Sequence, residues 1–172
     1  MKNSITMTIL FLFSIMIAAT VFAGEGANMK IFSQSFPNDK FIPQKYTCEG
    51  DDVNPPLTIE GIPEKTKSLA LIVDDPDAPG GTWVHWVVFN IKVKDTIDED
   101  SVPGMQGIND FKEKDYGGPC PPSGIHHYYF KIYALDTKLD LKEGIKKQDL
   151  EKAMEGHVLD QTELVGLYKK VY

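Results

Sequence analysis

The chain has 172 residues, of which 42% are hydrophobic and 25% are charged, a composition typical of a globular protein with one sizeable core. This composition excludes a disordered chain, a collagen-like chain and a membrane protein with several spans. Acidic residues outnumber basic ones by 25 to 18, and the resulting net charge of -7 argues against bulk nucleic-acid binding, which needs basic patches.

The N-terminus has the pattern of a secretory signal peptide. Lys2 supplies a positive charge, residues 9–19 form an uncharged apolar run, and Val21-Phe22-Ala23 matches a cleavage site. We therefore predict that residues 1–23 are removed and that residues 24–172 form a single domain. The protein is then expected to be periplasmic or secreted, with membrane contact only through the signal segment before cleavage.

An uncleaved membrane anchor is the alternative interpretation of the same segment. Residues 5–23 contain no charged side chain and are nearly long enough to span a bilayer. We favour cleavage, because the apolar core is short and the small residues of the cleavage pattern follow it directly.

Export would place the two cysteines, Cys48 and Cys120, in an oxidising environment. They lie in separate turn-rich segments. An even number of cysteines in an oxidising compartment permits a disulfide bond. The alternative is two unpaired thiols that fill space, since the spacing does not say whether the two loops meet. We favour the disulfide.

Four segments have the pattern of β-strands, and clusters of Gly, Pro and Asp separate them. The second is a continuous apolar run, as in a strand covered on both faces, and the last two are rich in aromatic and β-branched residues. The predicted strands are Lys30–Phe36, Ser68–Val73, Thr82–Ile91 and Tyr128–Leu135.

One helix is predicted near the C-terminus, over Gln148–Glu155. Leu150 and Met154 share one face of this helix, and Gly156 is a natural residue to end it. The tail, residues 163–172, is predicted as a last strand, because Gly156 interrupts any longer helix. The pattern as a whole predicts a mostly β domain of the α+β class.

Side chains alternate along a strand, which predicts the polar groups that can converge. In the third predicted strand, Val84, Trp86 and Val88 are expected to share one face. The opposite face is expected to carry Trp83, His85, Val87 and Phe89.

In the fourth strand region, His126 and Tyr128 are expected on one face and His127 and Tyr129 on the other. The adjacent histidines therefore cannot bind the same metal ion. The chain also has neither Cys-x-x-Cys nor His-Glu-x-x-His spacing. We predict no metal site and no cofactor.

Two loops that contain proline lie next to predicted strands. Asp75-Pro76-Asp77-Ala78-Pro79 follows the apolar strand, and its prolines restrict the backbone enough to hold a carboxylate in one place. Cys120-Pro121-Pro122-Ser123-Gly124 combines a rigid wall with a glycine that lets backbone approach a ligand. Taken alone, both segments are better interpreted as solvated turns.

Three motifs in order resemble the signature of the phosphatidylethanolamine-binding proteins, a family that includes the Raf kinase inhibitor proteins and bacterial relatives. The motifs are Asp75-Pro76-Asp77-Ala78-Pro79, Trp83-Val84-His85 and Gly124-Ile125-His126-His127-Tyr128. The resemblance extends from Tyr46–Gly50 to the Glu163-Leu164-Val165-Gly166 tail, which is typical of the bacterial branch.

The resemblance implies a large central antiparallel sheet packed on a smaller sheet, with a few peripheral helices. It also implies a shallow anion pocket at the sheet edge, in which Cys120 contributes its backbone N–H. The pocket residues carried over by position are Asp75, His85, Cys120, Pro121, Pro122, His126 and Tyr128. Imidazole, phenol and backbone donors of this kind can hold phosphate oxygens through charge-assisted hydrogen bonds.

His127 departs from the family pattern. The family often carries Arg at this position, and that Arg pairs with the second Asp of the motif, here Asp77. A histidine can still form a hydrogen bond but lacks the bidentate geometry and permanent charge of Arg. The resemblance therefore implies a structural brace between Asp77 and His127 that is weaker or sensitive to pH.

The sequence favours a binding protein, whose ligand is a phosphate-containing small molecule or a phospholipid headgroup and which modulates an unidentified protein partner. A small hydrolase with His85 or His126 as general base is the alternative, as is a protease or kinase inhibitor. No Gly-x-Ser-x-Gly elbow supports catalysis, and Cys120 could act as a nucleophile only as a free thiolate. No catalytic residue is assigned.

Overall fold

The computed structural model describes residues 28–170, and the predicted signal segment lies outside them. In chain order the elements are β1 (Lys30–Phe32), β2 (Lys40–Phe41), a 3₁₀ helix (Gln44–Tyr46), β3 (Leu57–Glu60), β4 (Ser68–Asp75), β5 (Trp83–Ile91), β6 (Thr96–Ile97), β7 (Met105–Gln106), β8 (His126–Leu135), α1 (Lys147–Met154) and β9 (Val158–Tyr168). Residues 28–170 contain no helix that is long and apolar enough to cross a membrane.

The strands form two sheets. The large sheet has the order β2-β9-β8-β4-β5-β7, and the small sheet has the order β1-β3-β6. Neighbouring strands are antiparallel throughout, apart from the short parallel contact between β2 and β9. The predicted fold class, a mostly β domain with a large sheet packed on a smaller one, is confirmed.

The central strand β4 is buried along its whole length, as its continuous apolar run predicts. Leu69, Leu71 and Val73 face the small sheet and pack in the same core as Ile59 of β3. The opposite face contributes Ala70 and Ile72 to a second core, which α1 covers with Leu150 and Met154. Period-two alternation thus divides one strand between two cores.

A bulge in β5 overturns part of the predicted alternation. Val84 pairs with Asp74 and Trp86 pairs with Val73, which leaves His85 as an extra residue on β5. A bulge of this kind reverses the phase of alternation beyond it.

The predicted faces of β5 are therefore wrong beyond His85. Val84, Val87 and Phe89 pack in the core beneath α1, whereas Trp86 and Val88 pack in the core between the sheets. The ring of His85 contacts Tyr128, which belongs to the core between the sheets.

The other predicted elements are found with shifted boundaries. The first strand ends at Phe32 instead of Phe36, and the fourth begins at His126, because it pairs there with Tyr168 of the last strand. The helix spans Lys147–Met154, and the tail is a strand, as predicted, although it starts at Val158. The shorter strands were not predicted, since two to four residues carry little periodicity.

Asp74 links the sheet to α1. Its side chain is fully buried and accepts hydrogen bonds from Lys131 of β8, at 2.8 Å, and from Lys147 in the first turn of α1. Burial lowers the pKa of Lys147, but the contacts with Asp74 and Glu151 outweigh burial and raise that pKa overall. The helix is therefore held on the sheet by a shared, largely desolvated carboxylate.

Replacing Asp74 by Asn should destabilise the fold by about 3 kcal/mol, the lower end for a broken buried ion pair, because Lys131 keeps some contact with water. Glu151→Gln is the control. Glu151 approaches Lys147 at 3.6 Å but is about half exposed, so its loss should change stability by less than about 0.5 kcal/mol. Urea unfolding measures both variants, and equal effects would contradict the assigned role of Asp74.

Candidate functional site

A cavity of about 500 Å³ opens at the end of the large sheet, where β4 leads through a loop into β5. The loop that precedes β8 contributes Cys120, Pro121 and Pro122 to the wall. The cavity is lined by Asp75, Ala78, Pro79, Gly80, Gly81, Thr82, Trp83, His85, Asp110, Phe111, Cys120, Pro121 and Pro122.

Asp75, the last residue of β4, is held by two hydrogen bonds. Its Oδ1 accepts the backbone N–H of Asp77 at 2.8 Å, and its Oδ2 lies 2.7 Å from Nδ1 of His126 on β8. The carboxylate and the imidazole are both almost fully buried. Asp75 therefore has a fixed position at the edge of the cavity.

His85 is oriented by the loop opposite it. Its Nδ1 lies 2.6 Å from the carbonyl oxygen of Gly117, and its ring makes edge contacts with Phe111 and Tyr128. Because a carbonyl only accepts hydrogen bonds, Nδ1 must carry the hydrogen. Burial lowers the pKa of His85, and the contact with Gly117 offsets part of this effect, so the ring is neutral at neutral pH.

Tyr128 places a hydroxyl group next to His85. The residue is fully buried, and its oxygen has no hydrogen-bond partner of ordinary geometry among residues 28–170. Burial raises the pKa of Tyr128, the charge of Asp75 raises it further, and the backbone N–H of Cys120 acts in the opposite direction. The phenol stays protonated, and its weak hydrogen-bonding contacts are with the carboxylate of Asp75 and the backbone N–H of Cys120.

The Cys120–Pro122 wall is attached to the loop around Cys48. A disulfide joins Cys48 to Cys120, with 5.5 Å between their Cα atoms. The backbone N–H of Cys48 also donates to the carbonyl of Pro119, and that of Gly118 donates to Asp52. The disulfide leaves Cys120 without a free thiol, which removes it as a nucleophile.

The structure brings all seven predicted pocket residues to one end of the sheet, but it places them in two layers. Five of them line the cavity, namely Asp75, His85, Cys120, Pro121 and Pro122. The other two contact this lining. His126 bonds to Asp75, and Tyr128 contacts the ring of His85.

Sequence reasoning missed Asp110 and Phe111. The Phe111 ring makes an edge contact with Trp83 at a centroid distance of 5.4 Å, and Oδ2 of Asp110 accepts the backbone N–H of Val84 at 2.8 Å. The only local sign of a site is an acidic residue next to an aromatic residue in a stretch that contains glycines. That signal becomes informative only once this segment is known to pack against the start of β5.

The brace between Asp77 and His127 lies outside the cavity lining. His127 projects from the opposite face of β8 to His126, as predicted, and its Nδ1 lies 2.6 Å from Oδ2 of Asp77. Its backbone N–H donates to the same oxygen at 2.9 Å. The hydrogen bond from the His127 side chain is the largest influence that lowers the pKa of Asp77.

Within residues 28–170, no group of three or more His, Cys, Asp or Glu side chains is arranged to hold a metal ion. The cavity lining contains two carboxylates, Asp75 and Asp110, and neither Lys nor Arg. The lining therefore offers hydrogen-bonding groups without a fixed cation.

Comparison with known proteins shows which family combines this fold with this cavity. The family model described as phosphatidylethanolamine-binding protein matches residues 32–169. The chain belongs to the phosphatidylethanolamine-binding protein family.

Relatives and solved structures agree with this membership. A UPF0098 protein of Pyrococcus abyssi is 53% identical over an alignment of 158 residues, which covers 86% of this chain and 89% of that protein. A phosphatidylethanolamine-binding protein homologue from Chlamydia trachomatis has a TM-score of 0.82 at 41% identity, covering 84% of this chain and 99% of that one. YbcL of E. coli has a TM-score of 0.77 at 31% identity, covering 83% and 99%.

The brace should make a small contribution to stability that depends on pH. Because the pKa of Asp77 is lower in the folded chain, its ionised form stabilises the fold above the unfolded value of about 3.9. This stabilisation is lost as the pH falls through the folded pKa.

We expect His127→Ala to lower the free energy of unfolding at pH 7 by at most about 1 kcal/mol, since both side chains are partly exposed and screened by solvent. Urea unfolding at a series of pH values measures the difference from the unsubstituted protein. The difference should shrink as the pH falls below about 3.9 and through the lowered pKa of Asp77 in the folded chain. A difference that does not depend on pH in this acidic range would contradict the pairing.

Proposed function

We propose that this chain binds phosphate-bearing small molecules or phosphorylated headgroups in the cavity beside Asp75 and His85. The observation that carries the proposal is the convergence of residues from three separate segments on one cavity. Asp75 ends β4, His85 lies in the bulge of β5, and Cys120–Pro122 forms the wall before β8.

The donors near the cavity suit an oxyanion. The Tyr128 hydroxyl is buried and forms no hydrogen bond of ordinary geometry, so a phosphate oxygen seated beside His85 would supply it with a stronger acceptor than the Asp75 carboxylate does. The backbone N–H of Cys120 acts on the same hydroxyl and is a second donor in this region. Hydrogen bonds to a charged acceptor are about twice as strong as those between neutral groups.

The walls of the cavity suit the remainder of a small ligand. Trp83 and Phe111 are each partly exposed, and Pro121 and Pro122 add rigid apolar surface to the same lining. A cavity of about 500 Å³ falls within the size range of small-molecule sites, which combine apolar walls with a few polar groups.

Hydrolysis has less support from the geometry. His126 is paired with Asp75, as a general base would be, but it does not line the cavity. His85 does line the cavity, but its Nδ1 bonds to a carbonyl oxygen instead of a carboxylate. Cys120 is in a disulfide. We therefore favour ligand binding.

We further propose that the protein acts in the periplasm or outside the cell. The signal pattern of residues 1–23 supports this location, and so does the disulfide between Cys48 and Cys120, because such bonds persist mainly in oxidising compartments.

Replacing Tyr128 by Phe should weaken phosphate binding by about 1.5–3 kcal/mol, the usual range for a hydrogen bond to a charged group. Stability should fall by no more than about 1 kcal/mol, the usual net contribution of one hydrogen bond, because the hydroxyl has only weak contacts with Asp75 and the Cys120 N–H. Calorimetric titration with inorganic phosphate measures the change in affinity, and unfolding in urea measures the change in stability.

The control is His157→Ala, which removes an exposed pair with Asp136 away from the cavity and should leave phosphate binding unchanged. Equal phosphate affinity in Tyr128→Phe and the unsubstituted protein would contradict the proposed site.

The exported protein should begin at Gly24, as N-terminal sequencing can establish.

Thiol labelling of the exported protein under denaturing, non-reducing conditions should modify neither Cys48 nor Cys120. Reduction should lower the free energy of unfolding by roughly 4 kcal/mol, since the bond joins residues 72 positions apart. An N-terminus at Met1 would favour the anchor, and two labelled thiols would contradict the disulfide in the exported protein.

A further inference from the structure

We propose that the Cys48–Cys120 disulfide completes the cavity, so that the chain binds its ligand tightly only in the oxidised state. Cys48 is then a positioning residue, which acts through Cys120 and does not itself line the cavity. This inference rests on the proposed function and adds to it the condition under which the site is competent. The reduced precursor would have low ligand affinity and would gain affinity after export to an oxidising compartment.

The disulfide meets the site at the cavity wall. Cys120, Pro121 and Pro122 all line the cavity, and the backbone N–H of Cys120 acts on the hydroxyl of Tyr128. A displacement of Cys120 therefore changes the shape of the lining and moves a backbone donor at the same time. Binding of an oxyanion is sensitive to such a shift, because hydrogen bonds weaken steeply as their geometry departs from the ideal.

The other end of the disulfide lies in a tightly packed loop. Thr47, the residue before Cys48, is fully buried, and its hydroxyl donates to the carbonyl oxygen of Gln44 at 2.8 Å. The N–H of Gly50 donates to the carbonyl oxygen of Thr47 at 2.9 Å, and a Cβ at Gly50 would overlap the carbonyl oxygen of Gln44. Cys48 therefore provides a fixed point of attachment for the wall.

Residues 117–119, which precede the wall, are held without the disulfide. The N–H of Gly118 donates to Oδ1 of Asp52 at 2.7 Å. Gly117 exchanges two hydrogen bonds with His85, since its N–H donates to the His85 carbonyl and its own carbonyl accepts from Nδ1. Reduction of the disulfide should therefore leave the orientation of His85 unchanged.

The stretch after Cys120 is held less firmly. Ser123 and Gly124 are exposed and take part in no hydrogen bond among the described residues. Gly124 also has open space around it, since a Cβ there would meet no atom within 4 Å. The next anchor along the chain is His126, which pairs with Asp75. The disulfide therefore supplies the covalent restraint that holds the start of this stretch against the cavity.

The bond forms by thiol–disulfide exchange. The thiols of Cys48 and Cys120 lose two electrons and two protons and form one S–S bond, while a disulfide of the exchange partner takes up both and becomes two thiols. Dithiothreitol reverses this step, because its own two thiols become an intramolecular disulfide. The ligand takes no part in the exchange.

The test is calorimetric titration of the purified mature protein with sodium phosphate, first oxidised and then in the presence of dithiothreitol. Reduction should weaken phosphate binding at least about tenfold, as expected when one hydrogen bond to a charged acceptor is lost. Oxidation with glutathione disulfide, followed by its removal, should restore the affinity. Near-ultraviolet circular dichroism should show that the reduced protein stays folded during the titration.

Two variants separate positioning from stability. Cys48→Ala removes the disulfide without changing a residue of the lining. It should bind phosphate as weakly as the reduced protein and should not respond to dithiothreitol. The matched control, Leu150→Ala, destabilises the fold from the core beneath α1, where Leu150 is fully buried. It should keep both the full affinity and the response to dithiothreitol.

Amide hydrogen exchange, followed by NMR, tests the wall itself. Reduction should accelerate exchange of the Cys120 N–H at least about tenfold, as expected for a locally released segment. Exchange at Gly118 should change much less, because its hydrogen bond to Asp52 remains. An unchanged exchange rate at Cys120 would contradict the restraint, and this measurement decides the matter even if Cys48→Ala does not fold.

Two outcomes of the titrations would overturn the proposal while leaving the proposed function intact. The first is equal phosphate affinity in the oxidised protein and the folded, reduced protein. The second is a loss of affinity that occurs only with loss of the near-ultraviolet signal, or that Leu150→Ala reproduces, since the disulfide would then act on stability alone. If the oxidised protein does not bind phosphate, the proposed function itself fails.

Discussion

The hydrogen bond between Asp75 and His126 is the contact on which the rest of the cavity depends. It joins the ends of β4 and β8 through two almost fully buried side chains, 2.7 Å apart. The second oxygen of Asp75 accepts the N–H of Asp77 and thereby sets the course of the loop into β5. A buried carboxylate with both oxygens satisfied in this way is held in one position.

Asp74, the residue before Asp75, has a different structural role because the strand is pleated. Asp74 and Asp75 are consecutive and therefore point to opposite faces of the sheet. Asp74 meets two lysines and holds α1, whereas Asp75 meets His126 at the cavity. The helix side of the sheet thus has the fixed cations, and the cavity side has none in its lining.

The wall of the cavity that contains Cys120 is held by a disulfide and by hydrogen bonds of the backbone just before it. The Cys48–Cys120 disulfide and the hydrogen bonds of Pro119 and Gly118 attach it to the loop around residue 48. The carbonyl of Gly117, in the same segment, orients His85. One stretch of chain therefore sets both the shape of the cavity and the tautomer of its histidine, so a substitution in this stretch should affect geometry and chemistry together.

The sequence by itself determined the elements whose signal is local. The apolar run of β4, the β-branched and aromatic segments of β5 and β8, and the helix before Gly156 are all found in the structure. The opposite directions of His126 and His127 also followed from alternation alone, since β8 is regular at that point.

Only the tertiary structure decided the properties that depend on how strands pair. The bulge at His85 arises from the register of β5 against β4, and it moves Val87 and Phe89 to the face beneath α1. The approach of Asp110 and Phe111 to the cavity depends on contacts with the start of β5. Periodicity describes a residue relative to its neighbours in the chain, whereas register and loop packing depend on partners far along the sequence.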